Sequence, residues 1–271
     1  MNKMLLAMLY ALMTIGTSCA ADQAPPHDMK SCISQAPFGF PTKTVPDSVQ
    51  ICRTAYVLLH DNEAKIPVWT SFVETPEHAT GCIPRSNAFA PDLSIPEGSR
   101  AELKDYAHSN YDTGHMVNDN LMSWNLTVEH ESFILSNMVP QLAGFNRGIW
   151  KVLETAIMDW AVERNHSLLI YAGPIYDIAV DDRIGVDGVD VPSGFYKIVV
   201  DMTTHEVMAF VFPHAAVHGA QLSTFQTTVL DVSKKTGIKF PLPSDAILSS
   251  TVWAFSTKDG ATTKKTVCSI H

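Results

Sequence analysis

The chain has 271 residues, 46% of them apolar, enough to bury one substantial core or at most two small ones. Its formal charge of −9, from 19 basic against 28 acidic side chains, excludes the broad basic footprint of a protein that holds nucleic acid by charge alone. Net charge governs solubility and long-range steering more than chemistry at a site, so a metal ion with two or three local arginines stays compatible with a phosphodiester substrate.

Residues 1–20 read as an export signal. Lys3 supplies the positive start, Leu5 to Ile15 an apolar stretch, and Ser18-Cys19-Ala20 a small-residue cleavage site. That stretch is short for a bilayer span, which takes about 20 apolar residues, and no later run approaches one. A lipoprotein reading would acylate Cys19, but Gly16 stands where a larger aliphatic residue is usual, which favours soluble export to a periplasm or the medium. Loss of the leader, which holds Lys3 and no acidic residue, brings the formal charge to −10. Cys32, Cys52, Cys82 and Cys268 then remain, and an even number in an oxidising compartment predicts two disulfides with three pairings open.

Residues 21–51 are rich in Pro, Ser and Gln with little periodicity, an irregular N-terminal arm. Residues 52–271 are expected to form one catalytic domain. Arg53–His60 and Ile66–Phe72 are β-rich and flank Asp61-Asn62-Glu63-Ala64-Lys65, which reads as a hairpin. Residues 75–98 carry Pro76, Pro84, Pro91 and Pro96 and read as a long surface loop. A helix begins near Asn146, with Ile149, Leu153, Ala156, Ile157 and Trp160 on one stripe and Arg147, Lys151, Glu154 and Met158 on another. Three strands follow, Ser167–Gly173, Phe195–Asp201 and Val207–Pro213, then a helix over about 220–235 that ends before Thr236-Gly237. Short connections predict antiparallel pairing and an α+β fold, a mainly antiparallel central sheet flanked by helices.

Three segments carry the chemistry. Tyr111-Asp112-Thr113-Gly114-His115-Met116 comes first, a weak signal by itself. Ser136-Asn137-Met138-Val139-Pro140-Gln141 follows about twenty positions later, then Phe145-Asn146-Arg147-Gly148-Ile149-Trp150 and Leu153-Glu154. In this order they resemble the DNA/RNA non-specific endonuclease family of the ββα-metal, or His-Me finger, nucleases. That family shows DRGH, then SN-x-x-PQ, then N-x-G-x-W opening a helix, with LE one turn after the Trp. Arg85-Ser86-Asn87-Ala88-Phe89, Asp92 and Asp105-Tyr106 upstream, and Gly173-Pro174-Ile175-Tyr176, Val191-Pro192, Phe195-Tyr196-Lys197 and Thr236-Gly237 downstream, extend the resemblance over residues 52–242.

Hydrolysis of a phosphodiester needs an activated water, neutralisation of phosphoryl charge and help for the departing oxygen. Histidine suits the first task because its ordinary pKa lies near neutrality, which makes His115 the candidate general base. A hard divalent cation suits the other two, and Mg²⁺, or Mn²⁺ or a similar ion, needs few protein oxygens. The resemblance makes Asn146 the direct metal ligand, Glu154 the holder of water around the ion, and Asn137 an active-site residue beside the base. On a regular helix Asn146 and Glu154 stand about 80° apart, within reach of one site.

Thr113 stands where the family has Arg, which removes a cationic phosphate contact worth on the order of 1.5–3 kcal/mol. Met158 replaces another common Arg, and Asn118 stands where Pro is frequent. Arg85 and Arg147, together with Lys151, are the candidates for compensating phosphate contacts. The leading expectation is an exported, Mg²⁺-dependent endonuclease that cleaves DNA and RNA with little sequence preference and leaves 5′-phosphates. The alternatives are a secreted phosphodiesterase acting on small nucleotides and a catalytically weakened nucleic-acid-binding protein.

Overall fold

Alternation of side chains along the strands decides the architecture. The computed structural model describes residues 23, 25–176, 182–217 and 221–255; the predicted leader and Cys268 lie outside the described residues. The first three strands are β1 (Ser48–Cys52), β2 (Tyr56–Asp61) and β3 (Ile66–Glu74). A separate ribbon is made by β4 (Asp112–His115) and β5 (Met138–Gln141). After the helix Lys151–Arg164 come β6 (Leu168–Ile175) and a small hairpin of β7 (Arg183–Ile184) and β8 (Val189–Asp190). The chain closes with β9 (Gly194–Asp201), β10 (Glu206–Pro213), β11 (Gln226–Thr227) and β12 (Ile247–Leu248).

Among the described residues the large sheet has eight strands in the order β1-β2-β3-β6-β9-β10-β11, with β12 also pairing β10. Every pairing but β10–β12 is antiparallel. The sheet is covered on both faces, so its strands read as continuous apolar runs. Along β9, Phe195 and Val199 join the core on the side of the long helix, while Tyr196, Ile198 and Val200 join the core on the other side. Lys197 lies between Phe195 and Val199 in this alternation and therefore shares their face. The second face is covered by the N-terminal arm, through Cys32, Phe38 and Phe40, and by Val229 and Val232 of the helix Val229–Thr236. No helix among the described residues is long and apolar enough to cross a membrane.

Three elements depart from the sequence expectation; residues 75–98, read as a surface loop, open with a helical turn, Pro76–Ala79, and bury Ala79, Asp92 and Ile95. The arm is more ordered than its composition indicated: it forms a 3-10 helix, Met29–Gln35, and contributes β1, so pairing starts before Cys52. A Cys32–Cys52 disulfide holds that helix to the strand, and Cys82 is also disulfide-bonded. The helix expected over about 220–235 occupies only Val229–Thr236, where Thr228 caps it by accepting from the Asp231 amide. The preceding residues are claimed instead by a one-turn 3-10 helix, Leu222–Phe225, and by β11, whose backbone is bonded to β10.

A fully buried ion pair ties the arm side of the molecule to the ribbon. Arg53 donates to Asp92 Oδ2 at 2.8 Å, and the same oxygen accepts from Ser136 Oγ at 2.5 Å. Ser94 satisfies Oδ1 through its amide and hydroxyl. Burial by itself would raise the Asp92 carboxyl; the Arg53 charge and these hydrogen bonds outweigh it and hold the group below its ordinary value. Removing one partner leaves a buried charge uncompensated, so Asp92→Ala is expected to lower unfolding stability by about 3–5 kcal/mol. Urea unfolding of the two proteins checks this, and a loss under about 1 kcal/mol would show the pair to be dispensable.

Candidate active site

The ribbon is closed by a glycine. A Cβ on Gly114 would stand 2.1 Å from Gln141 Oε1 and 2.5 Å from its Cγ, so any side chain at this position of β4 would force the buried Gln141 side chain on β5 to move. His115 pairs with Met138 at the end of β4. Just beyond it the buried Asn137 spans the gap between segments: its Oδ1 accepts from the Val117 amide at 2.9 Å, and its Nδ2 donates to the carbonyls of Val117 at 2.9 Å and Ser132 at 2.8 Å. This amide is fully committed to backbone. It sets the course of the chain leaving His115 rather than facing solvent.

Ribbon and helix are joined by a wide π-type turn, Asn146–Trp150, with Gly148 out of helical geometry (φ −101°, ψ −119°). Such turns recur at functional sites because they displace side chains from the regular helical spiral. The simple angular count between Asn146 and Glu154 therefore does not hold, yet both line the same cleft. That cleft, of about 480 Å³, brings together eight of the residues singled out from sequence: Arg85, Thr113, His115, Asn118, Asn146, Arg147, Lys151 and Glu154. Asn137 lies behind it, and Met158 is buried one helical turn beyond Glu154.

His115 is enclosed by aromatic rings, with Phe133 edge-on at 4.9 Å and Phe89 at 5.8 Å between centroids. Its Nε2 is buried without a hydrogen-bond partner. Burial drives its pKa down to about 4, opposed by Asp119 and aided by Arg85. The imidazole is thus neutral near pH 7, the form that accepts a proton.

Oxygen donors face it across the cleft. Asn146 Nδ2 donates to Asp112 Oδ2 at 2.9 Å, which leaves its Oδ1 without a protein partner among the described residues. Glu154 Oε2 accepts from Asn118 Nδ2 at 2.6 Å, while Oε1 is buried and lies 3.5 Å from Lys197 Nζ. Burial pushes the Glu154 carboxyl up to about 7; Lys197 pulls it down and Asp119 adds to the rise. Lys197 is wholly buried, with Nζ 3.9 Å from the centre of the Trp150 ring, and burial lowers its pKa against the pull of Glu154. A free amide oxygen and a carboxylate short of a hydrogen bond fit a hard cation that keeps most of its own water. Among the described residues no group of three His, Cys, Asp or Glu side chains converges, so the donor set does not fit a metal caged by several protein ligands.

Each cleft arginine already has an acidic partner. Arg147 makes two bonds to Asp112, at 2.9 and 2.6 Å, and Arg85 bonds Asp119 and, at 2.7 Å, Asn87 Oδ1, with its guanidinium 4.9 Å over Phe133. Asp119, Lys197 and the enclosing Phe133 were not singled out from sequence. Lys197 was visible only as a letter of a downstream motif, and its place on the site face of β9 follows from strand alternation. Asp119 carries no local signal that separates it from a solvated loop acid.

Residues 36–245 match the family described as DNA/RNA non-specific endonuclease. The chain is 28% identical to the mouse (Mus musculus) nuclease EXOG, mitochondrial, over 79% of this chain and 62% of that protein. It is 30% identical to a nuclease of Syncephalastrum racemosum over 72% of this chain and 68% of the relative. It therefore spans about three fifths of the length of the mouse relative. Its fold is similar to a chain in the crystal structure of the EndoG/EndoGI complex, with a TM-score of 0.72 and 27% identity over 78% of this chain and 91% of that one.

The depressed pKa of His115 has a stability consequence. Its folded value lies below the ordinary ~6.5, so on acidification the unfolded chain takes up the proton first. The contribution is fully present above about pH 6.5 and is lost as pH falls toward 4, by about 3 kcal/mol in all. His115→Gln is expected to lose that much less stability than the parent between pH 7 and 4, read from urea unfolding at the two pH values. Equal losses would show that the buried imidazole does not resist protonation.

Proposed function

The chain belongs to the DNA/RNA non-specific endonuclease family, and on that premise we propose that it is an exported, Mg²⁺-dependent endonuclease cleaving DNA and RNA to 5′-phosphate products. The observation that carries the reading is the pairing, in one cleft, of a neutral buried histidine with an unpartnered Asn146 oxygen and an under-bonded Glu154 carboxylate. In this reading His115 takes a proton from the attacking water. Asn146 Oδ1 would hold the cation directly, and Glu154 would accept hydrogen bonds from its water. Bound there, the cation supplies Lewis-acid neutralisation of the phosphoryl group and of the departing oxygen. Arg85 and Arg147, fixed by Asp119 and Asp112, present their remaining N–H groups to phosphate oxygens. Asn137 acts through the backbone, holding Val117 so that the His115 ring stays packed against Phe89 and Phe133. Export rests on the leader and is supported by the Cys32–Cys52 bond and the oxidised Cys82, which belong in an oxidising compartment.

The expected outcome with plasmid DNA and with RNA is cleavage in Mg²⁺, abolition by EDTA, and a drop of at least about 10³-fold in His115→Ala, consistent with loss of a general base. Absence of Mg²⁺-dependent cleavage by the parent, or full activity of the variant, would reject the reading. The paired state of both arginines favours one competing reading, a phosphodiesterase on small nucleotides; hydrolysis of a small phosphodiester without cleavage of either polymer would select it.

Thr113 lines the cleft beside the base. Thr113→Arg is expected to raise cleavage roughly tenfold by restoring a charge-assisted phosphate contact. Initial rates at fixed Mg²⁺ measure this, and an unchanged or lower rate would mean that Arg85 or Arg147 already fills the role.

A further inference from the structure

A lysine with no exposed surface is rare, because an ammonium group taken out of water must recover its hydration from neighbours. Lys197 recovers it from two groups that both belong to the candidate site. Its Nζ lies 3.5 Å from Glu154 Oε1 and 3.9 Å from the centre of the Trp150 ring. Trp150 in turn donates its indole N–H to the His115 carbonyl at 3.2 Å. The other oxygen of Glu154 is held by Asn118 at 2.6 Å. A continuous chain of contacts thus runs from the carboxylate on the cation side, through Lys197 and Trp150, to the backbone of the proposed base. The lysine stands on β9, in the rigid centre of the large sheet, whereas the groups it touches stand on the helix and its wide entry turn.

We infer that Lys197 is a positioning residue for the cation site: it fixes the Glu154 carboxylate by one oxygen, so that the carboxylate meets the water around a bound divalent cation, and it ties that carboxylate to the segment bearing His115. This rests on the nuclease reading of the cleft. Lys197 itself lies outside the cleft lining, so it acts through Glu154 and does not touch substrate. Without the ammonium, Glu154 Oε1, already short of a hydrogen bond, would also lose the opposite charge 3.5 Å away, and the carboxylate would turn, which removes an acceptor for the cation's water.

The test is Mg²⁺ binding by isothermal titration calorimetry on the full chain, beside the Mg²⁺ dependence of DNA cleavage. Lys197→Met is expected to weaken Mg²⁺ binding at least fivefold and to shift half-maximal cleavage to correspondingly higher Mg²⁺, with KM for DNA at saturating Mg²⁺ within twofold of the parent. Lys197→Arg, which keeps the charge, should hold Mg²⁺ affinity within about twofold. On a Glu154→Gln background, Lys197→Met should add no further weakening, because the lysine acts through that carboxylate. Lys197→Gln serves as the neutral variant if the methionine variant does not fold. Mg²⁺ affinity within twofold of the parent in the neutral variants, or equal further weakening on the Glu154→Gln background, would overturn the inference. Failure of the parent to bind Mg²⁺ or to cleave would instead reject the nuclease reading on which it rests.

Discussion

The candidate site depends on one buried amide. A segment turning out of a two-stranded ribbon leaves backbone groups unpaired, and burying them without partners costs on the order of 1–3 kcal/mol each. Asn137 removes that cost at a single point by bonding both the amide and the carbonyl of Val117, with Ser132 taking its second N–H. Val117 is two residues from His115, so this bond fixes where the imidazole enters its aromatic enclosure. The adjacent Ser136 is bonded to Asp92 of the buried ion pair, which ties the same point to Arg53 beside β1. The histidine is thereby held by the sheet side of the molecule as well as by its own ribbon.

The helix side is held differently. Asn146 owes its orientation to Asp112 on β4, and Glu154 owes its own to Asn118 and to Lys197 on β9. His115, Asn146 and Glu154 therefore come from separate elements, each held by neighbours on other parts of the chain. Such support is what keeps reacting groups within the small tolerances that catalysis demands.

Much of this was legible in the sequence. The strands β6, β9 and β10 appear as apolar runs because both faces of the sheet are covered, and the ordered motifs brought His115, Asn146 and Glu154 forward before any coordinates. What was not legible shares a physical cause. The strand β1 has only a weak burial alternation and exists because β2 offers it a backbone edge. The start of the last helix is decided by Thr228 and by the pairing of β11 with β10, a competition that helical periodicity does not register. The wide turn at Asn146–Trp150 breaks the hundred-degree step on which wheel reasoning rests. Asp119 gains its meaning only from Arg85, 34 positions away.

The pairing of both cleft arginines with aspartates has an ionic consequence. A protein that grips a polyanion with free cations releases condensed counterions on binding, and its affinity falls steeply with added salt, with a slope of about −0.9 for each phosphate neutralised on a duplex. On the proposed reading, Arg85 and Arg147 would meet a phosphate strand already neutralised by Asp119 and Asp112, so these two arginines would exchange few counterions. On that reading, such a cleft would trade tight binding for a grip that salt alters little.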